Sequence, residues 1–276
     1  FKILLHKLLK QKINLFIIFH STIFPSDELK EKFIDLIECL RLCKRILVHT
    51  PHDMNRLKSI GLVENVTLFP HGILDNNLCE KKKVSRNALF RSQYLIATHG
   101  FCLPNKGYEN LIQAVNILNK ENFNIKLKLY TTLHESNLSK EYLNALLKLI
   151  EELKFKQRII MNSNYLTDKE IISHLSNANL VVYPYQSSNE SSSASVRHGL
   201  ASDTPVLVTP SSIFNDIKPY IMSTSGYSPE DISRSIFEFF TKNNYDESDK
   251  LRTWKYQHRF SLVAKRLQGM IRAFNI

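Results

Sequence analysis

Asn189–Thr209, NESSSASVRHGLASDTPVLVT, reads as four parts in a row. An acid, Glu190, comes first. Ser191, Ser192 and Ser193 follow with helix N-cap chemistry, because a serine hydroxyl accepts from the amides that a first helical turn leaves unpaired. A short helix comes next, with Val196, Leu200 and Ala201 able to share one buried face. Asp203-Thr204-Pro205 breaks it, and Val206-Leu207-Val208 starts a buried strand. Upstream, Leu180–Tyr183 is another apolar run, so the unit is strand, polar loop, short helix, strand. In an open α/β sheet the loops after the strand carboxyl ends form the ligand crevice. A helix N-terminus there presents unpaired N–H groups and about half a positive charge, which suits a phosphate. Glu190 stands at the mouth of that crevice, where a carboxylate accepts hydrogen bonds from hydroxyls.

The same order of elements recurs towards the N-terminus. Tyr94–Ala97 is a short apolar strand, Thr98–Gly107 a loop with glycines at 100 and 107, and Tyr108–Lys120 an amphipathic helix with Leu111, Ala114, Val115 and Leu118 on one face. Gly100 frees the backbone, and Lys106 sits beside Gly107 at the helix entrance, an arrangement that can hold a diphosphate. A lysine about 4 Å from a phosphate charge gains on the order of 4 kcal/mol at an effective dielectric near 20, against roughly 0.3–2 kcal/mol for the helix dipole. Lys106 is therefore either the main phosphate contact or a solvated loop lysine. Strands are expected at 125–130, 158–161, 180–183 and 206–208, with an edge strand at 220–222; Thr167 and Glu170 form a capping box. Helices are expected from Ser228 and over 251–274.

The first third has the same character. Leu4, Leu5, Leu8 and Leu9 make one face of a lysine-flanked helix, which packs on its own sheet or lies on a membrane surface. Ile13–Phe19 is a continuous buried strand ending at His20, and a helix runs from Pro25 towards Lys44. Arg45–His49 is a strand, a short helix closes at Gly61, and Val66–Phe69 is a strand that ends in Pro70-His71-Gly72. Residues 76–93 read as a polar, lysine-rich linker. Alternation of strand and helix over nearly the whole length indicates parallel α/β architecture.

The Glu190 stretch resembles the signature of family 4 retaining glycosyltransferases, the group 1 sugar transferases of GT-B fold. Glu190 matches the first glutamate of their pattern, and Ala201 with Thr204-Pro205-Val206 matches its tail. His198 stands where the family has its second glutamate, and Asp203 replaces the usual glycine. Gly100, Lys106 and Gly107 are similar to the family's donor-phosphate loop, with Phe101 in place of an arginine. His71-Gly72 resembles the element that leads into the inter-domain linker.

The resemblance covers about Ile13–Val208 and implies a Rossmann-like donor-binding domain at 94–250, preceded at 1–75 by the end of an acceptor-side domain. A C-terminal helical region, 251–276, is expected to cross back onto that first domain. A chain that starts at Phe1 in mid-domain fashion is expected to be a fragment. The implied reaction moves a sugar from a nucleoside-diphosphate donor, with retention and without a metal or other cofactor. In it Lys106 and the turn containing Ser191, Ser192 and Ser193 hold the diphosphate, and Glu190 holds the sugar hydroxyls. His198 stands at the ribose position, where a surface histidine is the alternative. His20, His71 and Gly72 face the cleft on the acceptor side, His20 having a plain turn histidine as its alternative. A non-catalytic binding module of the same fold is the rival reading, motivated by Phe101 and His198.

Net charge is +11 with a pI near 9.4, while hydrophobic and charged contents of 43% and 23% are those of an ordinary globular protein. Lys81-Lys82-Lys83 is the one tight basic run, and no basic cluster interleaves with aromatics, so nucleic acid is not the expected partner. Dispersed lysines, or attraction to an anionic membrane surface, account for the charge. Cys39, Cys43, Cys79 and Cys102 form no C-x-x-C pair, which fits a reduced, cytoplasmic setting. The family's acceptors, glycans or lipid-linked sugars, add the inner face of a membrane as a second placement.

Overall fold

The computed structural model describes residues 2–75, 93–242 and 247–274. The linker expected over 76–93, with Cys79 and Lys81–Lys83, lies outside the described residues except for Gln93. The chain divides into two compact units: Phe1–Gly72 with Asn189–Ser193 and Gln257–Ile276, and Ile73–Ser188 with Ala194–Tyr256.

The first unit holds α1 (Lys2–Lys10), β1 (Phe16–Phe19), α2 (Asp27–Ile34), α3 (Ile37–Arg41), β2 (Arg45–Val48), α4 (Pro51–Ser59) and β3 (Val66–Leu68). The strands pair in parallel in the order β1-β2-β3. Successive strand residues face opposite ways, so Ile46 and Val48 of β2 pack with Leu5, Leu40 and Leu57 on one side. Leu47 packs on the other side with Phe69 and Val263.

Three expectations need correction in this unit. The strand expected at 13–19 is shorter and lies at the sheet edge, with Ile18 41% exposed, because β1 pairs on one side alone among the described residues. The single helix expected from Pro25 to Lys44 is two: α2 buries nothing, whereas α3 turns Ile37, Cys39 and Leu40 into the core, and the chain bends between them to do so. Of the leucine stripe on α1, Leu5 is buried and Leu4 is exposed.

The second unit runs β4 (Tyr94–Phe101), α5 (Tyr108–Lys120), β5 (Ile125–Thr132), α6 (Asn137–Glu151), β6 (Ile159–Asn162), α7 (Asp168–Ser176) and β7 (Leu180–Tyr183). It continues with α8 (Ala194–Ala201), β8 (Val206–Val208), β9 (Met222–Ser223), α9 (Pro229–Thr241) and α10 (Asp249–Gln257). All its strand pairs are parallel, in the order β6-β5-β4-β7-β8-β9. That is the doubly wound dinucleotide-binding order, with the winding reversed between β4 and β7. Strand residues alternate between the layers. Leu180 and Val182 of β7 pack with α5, α6 and α9, while Val181 and Tyr183 pack with α7, α8 and α10. The capping box of α7 is formed, Glu170 accepting from Thr167 N–H at 2.8 Å.

β4 extends beyond the expected 94–97 because its pairing with β5 continues to Phe101 opposite Thr132. Thr98, His99 and Gly100 therefore belong to a strand and not to a loop. The C-terminal region also divides differently from the expected single block. Leu251 and Trp254 join the core of the second unit, whereas α11 (Phe260–Ala273) belongs to the first, where Val263, Leu267 and Met270 cover Leu47 and Phe69. Among the described residues no helix is long and apolar enough to cross a membrane.

Candidate functional site

In the second unit the crevice outside the carboxyl ends of β4 and β7 is where a sheet of this order takes a ligand. After β4 the chain makes a tight helical turn, Pro104–Lys106, and passes through Gly107 at φ 64° into α5. Only glycine serves there. The conformation is left-handed, and a Cβ would lie 2.2 Å from the carbonyl oxygen of Pro184. Gln186 N–H donates to the Asn105 carbonyl at 2.9 Å, which ties this turn to the segment leaving β7. Lys106 is 4% exposed, and its Nζ lies 4.0 Å from the centroid of the Tyr185 ring. The negative face of the ring attracts the ammonium and fixes its position.

Gly100 works differently from the expectation of a loop glycine. It lies inside β4, and a Cβ there would come within 2.9 Å of Tyr108 Oη and 3.1 Å of Tyr185 Oη. Its missing side chain is the space into which the two fully buried tyrosines pack. The first amide of α5, Tyr108 N–H, donates to Tyr142 Oη at 3.1 Å and so is used within the protein. Phe101, at the position of the family's arginine, is 49% exposed and meets His134 edge-on at 5.8 Å. Arg197 does not replace that cation, since it is buried and ion-paired with Asp216. Burial lowers its pKa and the Asp216 carboxylate partly offsets this.

His198 sits on α8 with Nε2 3.0 Å from Asp168 Oδ1, at the start of α7, and its ring meets His99 edge-on at 5.1 Å. The imidazole N–H donates to the carboxylate. Burial first, and the neighbouring His198 second, push His99 down to about 3, so His99 is neutral at ordinary pH. Asp168 was not a candidate in the sequence because its signal there is that of a helix-opening acid.

The remaining candidates, Glu190, Ser191, Ser192, Ser193, His20, His71 and Gly72, fall in the first unit. Glu190 is exposed. Ser191 does not open a helix: α8 begins at Ala194, and the Ser191 hydroxyl donates to Asp53 at 2.6 Å. Ser192 is half-buried and Ser193 buried.

His20 follows β1, and its ring lies 5.0 Å from that of His49 and 6.4 Å from that of His71. His49, which follows β2, was not a candidate; it stands between the other two, 5.1 Å from His71. His49 Nδ1 is 3.1 Å from the Phe69 carbonyl, and its Nε2 is 3.2 Å from His20 Nδ1. A carbonyl only accepts, so the proton of a neutral His49 is on Nδ1, and its Nε2 accepts from His20 Nδ1–H. That leaves His20 Nε2 as the acceptor of the chain of rings. Gly72 has no room for a side chain, since a Cβ would lie 2.6 Å from the Phe260 ring at the start of α11.

The profile of the family described as glycosyl transferases group 1 matches residues 80–268. No curated protein matches the sequence. Among solved structures, an α,α-trehalose-phosphate synthase (UDP-forming) of Burkholderia xenovorans, in complex with glucose-6-phosphate, is similar with a TM-score of 0.77 at 8% identity, over 96% of this chain and 70% of that one. The corresponding synthase of Burkholderia vietnamiensis gives 0.78 at 10% identity, over 98% and 70%. Anabaena Alr3699/HepE in complex with UDP-glucose gives 0.75 at 12% identity, over 98% and 74%. At such identities the likeness is one of fold, the GT-B arrangement of parallel α/β units.

Proposed function

We propose, because the chain belongs to the group 1 glycosyl transferases, that it moves a sugar from a nucleoside-diphosphate sugar to a glycan or lipid-linked acceptor, with retention of configuration. The observation that carries the donor half of this reading is Lys106, buried and seated on Tyr185 at the carboxyl ends of β4 and β7. A preorganised cation there stabilises the charge that develops on a leaving diphosphate. It does so without a metal. Glu190 holds the hydroxyls of the transferred sugar, and the His198–Asp168 pair serves the ribose. The second unit is the donor side, and the first unit, with His20, His71 and Gly72, the acceptor side. Retention rests on the resemblance of the Glu190 stretch to the family 4 signature, and the donor class is that of the UDP-glucose bound by Alr3699/HepE.

The test is release of nucleoside diphosphate from a panel of labelled nucleotide sugars, with and without glycan and lipid-linked acceptors. Acceptor-dependent release with label in the acceptor is the expected result. Tight binding of a donor with no turnover makes the chain a binding module instead, the reading that Phe101 and His198 favour.

The charge of +11 serves a place at the cytoplasmic face of a membrane, in synthesis of cell-surface polysaccharide or glycolipid. On α1, Ile3 and Leu4 are 86% and 56% exposed on a helix that also carries Lys2, Lys7 and Lys10. Such a face suits anionic lipid. Co-sedimentation with vesicles is expected to rise with anionic lipid content and to fall with salt. Binding that ignores lipid charge leaves the lysines as composition only.

A further inference from the structure

The segment Asn189–Ser193, which carries Glu190, is anchored on both sides of that residue. Ser21 Oγ donates to the Asn189 carbonyl at 2.5 Å. Ser191 Oγ donates to Asp53 Oδ1 at 2.6 Å, and Ser191 N–H approaches the His20 carbonyl at 3.5 Å. Asp53 is 1% exposed, on the first turn of α4, and accepts in addition from Thr22 Oγ1 at 2.7 Å and Thr50 Oγ1 at 2.5 Å, with Arg56 Nη1 at 3.5 Å. Burial alone would raise its carboxyl; the bonds from Ser191, Thr22 and Thr50, with the charge of Arg56, outweigh this and hold it below the usual value.

A helix-opening acid has no need of three hydroxyl donors from three separate segments. Two of them, Thr22 and Thr50, fix the carboxylate to the chain leaving β1 and to the N-cap of α4. The third, Ser191, is the residue next to Glu190. A buried carboxylate with its geometry set in this way is a rigid post, and bonds to a charged acceptor are the strong ones. Reactive groups held by such locked partners keep their placement, whereas a side chain on an unsupported loop loses it.

We propose that Asp53 is a positioning residue for Glu190, acting through the Ser191 hydroxyl that it anchors. This rests on the reading of Glu190 as the residue that holds the transferred sugar. Asp53 touches neither donor nor acceptor. Its effect on transfer comes entirely through the orientation of the 189–193 segment.

The experiment compares Asp53→Asn, Ser191→Ala, Glu190→Gln and the Ser191→Ala/Glu190→Gln double variant of the full chain. Ser191→Ala, which removes one hydroxyl and leaves the buried carboxylate with Thr22 and Thr50, guards against a folding failure of Asp53→Asn. Ser191→Ala and Asp53→Asn are each expected to lower kcat roughly tenfold, with the affinity for a sugar-free nucleoside diphosphate unchanged. In the Glu190→Gln background Ser191→Ala is expected to have a clearly smaller effect, because one of the two contacts that it positions is already lost. A merely structural role predicts equal losses in both backgrounds, and that result overturns the proposal. Deuterium exchange gives a readout that needs no turnover: the peptide spanning 189–193 exchanges faster in both single variants while peptides of β2 and β3 do not change. Unchanged exchange there also overturns it. A Glu190→Gln protein that transfers normally overturns the sugar-holding reading and this inference together. A crippled Glu190→Gln protein beside a normal Ser191→Ala protein overturns the inference alone.

Discussion

Lys106→Ala is expected to weaken nucleoside-diphosphate binding about a hundredfold while the fold persists. That factor corresponds to about 2.7 kcal/mol. It lies below the roughly 4 kcal/mol of a unit charge 4 Å from phosphate at an effective dielectric near 20, since stripping water from the phosphate offsets part of the gain. The helix end is a weaker rival. Its dipole offers roughly 0.3–2 kcal/mol, and the first amide of α5 already donates to Tyr142. Lys106→Met separates charge from packing, because it keeps most of the stem that lies against Tyr185. It is expected to lose nearly as much affinity as Lys106→Ala. Tyr185→Leu keeps the lysine and removes the ring 4.0 Å from its Nζ, and is expected to cost less, since a cation–π contact contributes about 0.5–2 kcal/mol. Calorimetry with UDP, GDP and ADP on all three variants makes the comparison. Affinity unchanged in Lys106→Met means that the charge does not face the diphosphate, and the donor assignment falls with it.

The helices were the most legible part of this fold. The apolar repeat of Tyr108–Lys120 gives the same bounds in sequence and structure, and Thr167 with Glu170 marks its helix by chemistry alone. The strands were legible where both faces are buried, as in Leu180–Tyr183, and misread where pairing decides their length. Thr98, His99 and Gly100 carry no apolar signal, yet β5 pairs with all three and makes them strand. The bend between α2 and α3 was hidden for a related reason. Each piece alone is a fair helix, and only the need to bury Ile37 and Leu40 separates them.

At the site, the candidates were read from the sequence singly, and the side chains that surround them were not legible. Lys106 and Gly107 were picked out as a lysine and a glycine at a helix entrance. Tyr185, which seats that lysine, lies 79 positions away and reads simply as a loop aromatic. Asp53 and Asp168 were masked by a true local role, because an acid in a first helical turn is already explained by the dipole. Their other contacts, with Ser191, 138 residues away, and with His198, 30 away, are encoded by no spacing rule. His49 was passed over as part of a strand end, and only the meeting of three strand ends shows it between His20 and His71.

Glu190→Gln is expected to lower the rate of sugar transfer roughly ten- to a hundredfold. The substitution keeps the size of the side chain and removes its charge. A carboxylate accepts from two hydroxyls, whereas the amide offers one acceptor and two donors, so one sugar hydroxyl loses its partner. A hydrogen bond to a charged group contributes about 1.5–3 kcal/mol, which sets the range. Binding of the nucleoside diphosphate without its sugar is expected to stay the same, because Glu190 meets only the sugar in this reading. The competing account is that Glu190 is a loop acid of purely structural use. The two accounts separate in a single variant measured two ways. Lost transfer with an unchanged melting temperature and unchanged diphosphate affinity is the signature of the sugar grip. A lowered melting temperature with a normal transfer rate is that of the structural acid. Tighter diphosphate binding with lowered transfer places Glu190 near the phosphates instead, since a carboxylate there repels the anion and its neutralisation by Gln relieves the repulsion.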